Sequence, residues 1–112
     1  MTNKEIEHKG YELVIDYEKT KGRKAKLIRK NGYDIESTDS KGMVRFIEVK
    51  STQKEKPKPR KITELGVNKM KEPNSYFYLV TNIGSTKATV TEYKGDTLSF
   101  QKVIIIKYKV IF

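Results

Sequence analysis

Asp34, Glu48 and Lys50 are the residues of this chain whose types and spacing could do chemistry together. Asp34 stands in Gly32-Tyr33-Asp34-Ile35, and the other two in Ile47-Glu48-Val49-Lys50-Ser51-Thr52, both apolar stretches that read as strands. Strand side chains alternate, so Val44, Phe46, Glu48 and Lys50 share one face while Arg45, Ile47, Val49 and Ser51 share the other. A carboxylate and an ammonium at the end of a half-buried strand cost free energy unless something pairs with them. A divalent cation plus a phosphate would do so. Phosphodiester hydrolysis needs that combination: a cation offsets charge on the phosphoryl oxygens and lowers the pKa of an attacking water, and a donor steadies the pentacovalent centre. Asp34 and Glu48 offer hard oxygen ligands with the Val49 carbonyl as a third, a set that suits Mg²⁺, with Mn²⁺ as a substitute. Lys50, roughly 6.6 Å from Glu48 along the same strand face, could hold the water, bind the scissile phosphate or, made neutral by a neighbouring cation, act as a base. The plainer reading of the same residues is a turn cap at Asp34 and cross-strand ion pairs on a solvated sheet edge.

Glu-x-Lys is a weak signal alone, and it occurs at Glu7-His8-Lys9, Glu48-Val49-Lys50 and Glu92-Tyr93-Lys94. Context separates the three. The first falls on a helix, where residues two apart point in different directions. The third sits beside a turn with no acidic strand before it. The Glu48 triplet ends an apolar strand and follows, 14 residues later, an Asp flanked by Tyr33 and Ile35.

The elements that must position these groups are legible in turn. Thr2 or Asn3 can cap a helix whose apolar positions Ile6, Gly10, Leu13, Val14 and Tyr17 recur at helical spacing through about Lys19, and Thr2-x-x-Glu5 has the form of a capping box. Strands are predicted over Ala25–Arg29, Tyr33–Ser37 and Met43–Ser51, with turns at Asn31-Gly32 and Asp39–Gly42, forming a meander. Gln53–Lys61, with Pro57, Pro59 and many charges, reads as an exposed loop. Thr63 caps a short helix through Lys71, and strands follow over Tyr76–Val80 and Ala88–Tyr93. The β-branched, aromatic stretch Leu98–Phe112 predicts further strand, buried on both faces or covered by a partner at Val103–Ile106. The order gives an α/β sandwich with a mixed central sheet flanked by two helices. A helix between the third strand and a later one makes those two parallel neighbours.

With 112 residues the chain is one domain, 1–112, with a core over about 5–83 and a β extension over about 86–112. Lys and Arg number 24 against 14 Asp and Glu, a net charge of +10 that fits a polyanionic partner as well as it fits a generic Lys-rich surface. There is no Cys and one His, which excludes disulfides, thiolate sites and the usual zinc ligand sets. Neither a membrane-length apolar run nor a secretory leader is visible, so the sequence reads as cytoplasmic and without a membrane partner. Lys54, Lys56, Lys58, Arg60 and Lys61 directly follow the acidic strand and could track a phosphate backbone. The tyrosines read as core or sheet-edge residues, and His8 as solvent-exposed.

The set Gly32-Tyr33-Asp34-Ile35, Ile47-Glu48-Val49-Lys50-Ser51-Thr52 and Tyr76-Phe77-Tyr78-Leu79-Val80 resembles the PD-(D/E)xK nuclease superfamily and, within it, the Protein NO VEIN C-terminal domain family. Gly10-x-Glu12-Leu13-Val14-x-x-Tyr17-Glu18 is similar to that family's first helix. The resemblance implies a restriction-endonuclease-like fold, Mg²⁺-dependent cleavage of nucleic acid, expected to be DNA, and a further acid from the first helix. Tyr11 stands where many relatives carry Glu, which leaves Glu7, one turn earlier on the same side, as ligand or water-orienting base; a capping or solvated role is its alternative. Asp34 follows Tyr33 where the pattern has Pro. Two rival readings remain: a degenerate module of the same fold that binds nucleic acid without cutting it, and an interaction domain that forms homodimers through its C-terminal strands.

Overall fold

A computed structural model of the chain describes residues 1–57 and 60–100. Helix α1 (Asn3–Thr20) is followed by strands β1 (Lys24–Lys30), β2 (Tyr33–Thr38) and β3 (Val44–Ser51), helix α2 (Glu64–Met70), and strands β4 (Ser75–Thr81) and β5 (Thr89–Lys94). The strands form one mixed sheet in the order β1-β2-β3-β4-β5. Its pairs are antiparallel except β3 and β4, which run parallel as the crossover through α2 requires. The fold is therefore the expected α/β sandwich of two helices on a mixed sheet. Among the described residues, no helix is long and apolar enough to cross a membrane.

Local chemistry sets the element ends. The Thr2 hydroxyl accepts the Glu5 amide at 3.1 Å and the Thr63 hydroxyl accepts that of Gly66 at 3.1 Å, so both helices start where side-chain caps satisfy free N–H groups. Asn31 and Gly32 have φ of 57° and 82°, the paired left-handed conformation of a tight hairpin turn between Lys30 and Tyr33. Gly32 is also required by space: an added Cβ would lie 2.6 Å from the Leu65 carbonyl oxygen of α2. The Asp39 carboxylate accepts the amides of Lys41 and Met43 and closes the β2–β3 turn.

The main core lies between α1 and one sheet face, where Tyr11 and Val14 meet Ile35, Ile47, Val49, Tyr78 and Val80. The buried stripe of α1 is Gly10, Tyr11, Val14 and Glu18. That corrects the expected stripe, because Leu13 and Tyr17 are only partly buried while Tyr11 and Glu18 are covered. Glu18 is tolerated inside because its carboxylate is fully bonded: Arg23 Nε and Nη2 reach it at 2.7 and 2.8 Å, and the Tyr78 hydroxyl donates at 2.9 Å. On the other face α2 lays Lys69 over the rings of Phe46 and Tyr33, 3.9 and 5.2 Å from their centroids.

β5 pairs along β4 as an integral fifth strand. Beyond it a 3₁₀ turn, Gly95–Thr97, leads to Leu98, Ser99 and Phe100 outside any strand, so the further strand expected from Leu98 does not begin there. The strand expected at Val103–Ile106, and the dimerisation surface built on it, lie outside the described residues.

Candidate active site

The sequence places Asp34 at a fault in the sheet. β2 and β3 are paired from Thr38↔Val44 to Ile35↔Ile47 and no further, so Asp34 and Glu48 begin a split between neighbouring strands. Across the split the Asp34 Oδ2 accepts the Val49 amide at 2.8 Å, the side chain replacing a ladder carbonyl. Main-chain N–H and C=O of one strand residue point to the same neighbour, so the Val49 carbonyl also faces the split. On the other side of Asp34 the pairing jumps from Leu27↔Ile35 to Lys30↔Tyr33, which sets Ile28 and Arg29 against Asp34 alone. This is a β-bulge, and Arg29 takes the left-handed conformation there, φ 55°. Alternation breaks with it: Ile35 faces α1 while Tyr33 packs on Phe46 with ring centroids 5.1 Å apart.

Helix α1 is drawn onto the end of β3 by Gly10, whose added Cβ would lie 1.7 Å from the Ser51 hydroxyl. That close approach brings Glu7 and Tyr11 to the split. The result is a cleft of about 550 Å³ bounded by α1, by Arg29, Asp34 and the Glu48–Lys54 segment, and by Arg60. Asp34, Glu48, Lys50, Val49 and Glu7, each singled out from the sequence, line this one cleft. Of the basic loop, Lys54 and Arg60 reach it, and Arg60 Nη1 donates to the Ser51 carbonyl at 3.1 Å. Lys56 and Lys61 are exposed away from it, and Lys58 lies outside the described residues. His8 is exposed, as expected, with its ring edge-on to Tyr11.

Burial, then the charge of Asp34, pushes the Glu48 carboxyl up to about 7, against the pull of the Lys50 ammonium 3.6 Å away. Asp34 is raised by burial, partly offset by the Val49 amide and by Lys50. The Tyr11 hydroxyl, 3.4 Å from Asp34 Oδ1, is raised by burial and then by the charges of Asp34 and Glu7, and so stays protonated as a donor. Glu7 Oε1 accepts from Arg29 Nη2 at 2.9 Å. Among the described residues no three His, Cys, Asp or Glu side chains converge as a metal-ligand group. The cleft offers the carboxylates of Asp34 and Glu48, with that of Glu7 on the α1 wall.

Sequence reasoning passed over Arg29, because nothing in Leu27-Ile28-Arg29-Lys30 announces a bulge. It also passed over Glu18, for which a signal existed: position 18 continues the helical stripe of Tyr11 and Val14, and a charge there demands a partner. The remaining Glu-x-Lys triplets resolve as context suggested. Glu92 is bound by Arg45 Nη1 at 2.6 Å and by the Tyr17 hydroxyl, and does not line the cleft.

A family model described as Protein NO VEIN, C-terminal, matches residues 6–93, a span from the first turn of α1 into β5 that includes Glu7, Tyr11, Arg29, Asp34, the Glu48–Lys54 segment and Arg60 of the cleft. No curated protein and no solved structure matches the chain.

Proposed function

The chain belongs to the Protein NO VEIN C-terminal family, and from that footing we propose that it is a metal-dependent nuclease domain of restriction-endonuclease type, hydrolysing phosphodiester bonds in DNA. The observation that carries this reading is the convergence of Asp34, Glu48 and Lys50 on one cleft at the split between β2 and β3.

The donors fit a hard divalent cation. Two carboxylates and a carbonyl facing a common split are too few for a dedicated cage, but Mg²⁺ keeps several waters and needs only one or two protein carboxylates. Burial, then the charge of Asp34, holds the Glu48 carboxyl up, and a cation beside the two would favour its ionised form. When bound, such an ion offsets charge on the phosphoryl oxygens and makes a water acidic enough to attack.

The chain's own groups do the rest. The Val49 amide and the Tyr11 hydroxyl fix the two oxygens of Asp34, one each. Lys50, on the same strand face as Glu48, holds a phosphoryl oxygen or the attacking water through its ammonium. The water oxygen forms the new bond to phosphorus as the bond to the leaving sugar oxygen breaks; the water's proton passes to Glu7 or solvent, and the leaving oxygen takes one from solvent. Tyr11 stands in place of the acid many relatives carry, and Glu7 supplies the carboxylate on that wall of the cleft. Lys54, Arg60 and the exposed lysines near them favour a polyanion in any sequence register.

Plasmid, linear and branched DNA incubated with the protein and Mg²⁺ or Mn²⁺ test the reading. Cleavage that needs the metal and falls about 100-fold or more in Lys50→Ala is expected. Metal-dependent cutting no faster than that of Lys50→Ala would leave a binding module without chemistry.

A further inference from the structure

Arg29 combines three features that its packing does not explain. It holds a left-handed φ of 55° without being glycine or asparagine, it sits at the bulge opposite Asp34, and its guanidinium is turned into the cleft. A bulge is a device for re-aiming a side chain, and here it carries Arg29 off the outer edge of the sheet to lie 5.6 Å over the Tyr11 ring. Its ion pair with Glu7 is a poor reason for such strain. The two side chains are 49% and 45% exposed, and pairs of that kind contribute little to stability. A planar guanidinium held at the mouth of a cleft is instead suited to a phosphate, which it can bind through two parallel hydrogen bonds.

We propose that the bulge aims Arg29 at a backbone phosphate of nucleic acid entering the cleft, with Glu7 as the resting partner that the phosphate displaces. The inference rests on the nuclease reading for the identity of the ligand, and it adds a phosphate-binding residue from β1 to a cleft that Lys54 and Arg60 also line. Exchange is easy because the Glu7 pair is solvated. It also frees the Glu7 carboxylate toward the cleft at the moment the substrate arrives. Binding and assembly of the site are thereby coupled.

The test compares wild type, Arg29→Gly and Lys26→Ala by fluorescence anisotropy with a labelled DNA duplex, in EDTA and across a salt series. Lys26 is an exposed cation on the same strand and outside the cleft, so it measures the generic loss of one charge. Glycine adopts the left-handed conformation freely, so Arg29→Gly should melt no lower than wild type. It should nonetheless bind about tenfold more weakly, with a salt slope shallower by about one counterion, while Lys26→Ala changes affinity by less than about threefold. Equal effects of Arg29→Gly and Lys26→Ala would overturn the inference and leave the nuclease reading standing. Absence of any salt-dependent binding by wild type would overturn both.

Discussion

Two carboxylates in this chain open the same tripeptide pattern and meet opposite fates. Glu92 of Glu92-Tyr93-Lys94 is closed off by its neighbours: burial raises its carboxyl, but bonds from the Tyr17 hydroxyl and from Arg45 outweigh that and leave it below the ordinary range. Glu48 of Glu48-Val49-Lys50 is driven up to about 7, because burial and Asp34 are opposed chiefly by Lys50. The first belongs to a saturated network that continues through Arg45 to Tyr78 and Glu18. The second has the Lys50 ammonium as its opposing partner, 3.6 Å away. The contrast separates a triplet whose carboxylate is tied into the architecture from one whose carboxylate is buried with little compensation, and the separation lies in the partners, not in the triplet.

The largest effect should come from breaking the saturated network at its deepest point. Arg23→Ala strips Glu18 of both guanidinium bonds while the carboxylate stays fully buried, so a loss of roughly 3–5 kcal/mol in urea unfolding is expected. Removing charge from the cleft should do the reverse. The Glu48 carboxyl moves from an ordinary 4.5 to about 7 on folding, so its contribution to stability is fully present below about 4.5 and is lost as pH rises through 7. Glu48→Gln escapes that penalty and should be more stable than wild type by roughly 1–3 kcal/mol at pH 8 in EDTA, with the gain vanishing near pH 4. A wild-type protein as stable as the variant at pH 8 would remove the claim that the cleft is under-compensated.

Smaller changes sharpen the comparison from the other side. Glu92 is depressed on folding, so its stabilisation exists above its unfolded pKa and fades as pH falls through the folded one. Glu92→Gln should therefore cost about 1 kcal/mol at pH 7 and progressively less in acid, read by thermal unfolding at each pH. Lys94→Ala should shift stability by less than about 0.5 kcal/mol and leave cleavage unchanged, since Lys94 meets Asp96 only at 4.0 Å with both side chains mostly exposed. Lys50→Ala, at the matching place in the other triplet, should by contrast slow cleavage about 100-fold or more.

How far the sequence discloses all this depends on which interactions are local. Thr2, Thr63 and Asn31-Gly32 act within a few residues of themselves, so the helix starts and the hairpin are readable, and the crossover rule then makes β3 and β4 parallel. Asp34, Glu48 and Lys50 could be paired because their strands are sequential neighbours. The bulge at Ile28 and Arg29 could not be read, since it arises where β2 leaves β3 and no residue type there prefers a left-handed backbone. Arg45, Tyr78 and Glu92 come from three strands far apart in the chain, and only the assembled sheet makes them one network. Glu18 lay within reach of sequence reasoning, on a stripe whose other members were apolar.

The central claim is that Asp34 and Glu48 hold a hard divalent cation between them. A crystal of the protein soaked in Mn²⁺ and measured for anomalous scattering tests it directly. The account predicts a single strong peak between the two carboxylates, against the Val49 carbonyl, that disappears in Glu48→Gln. A saturating soak that leaves no peak there would contradict it.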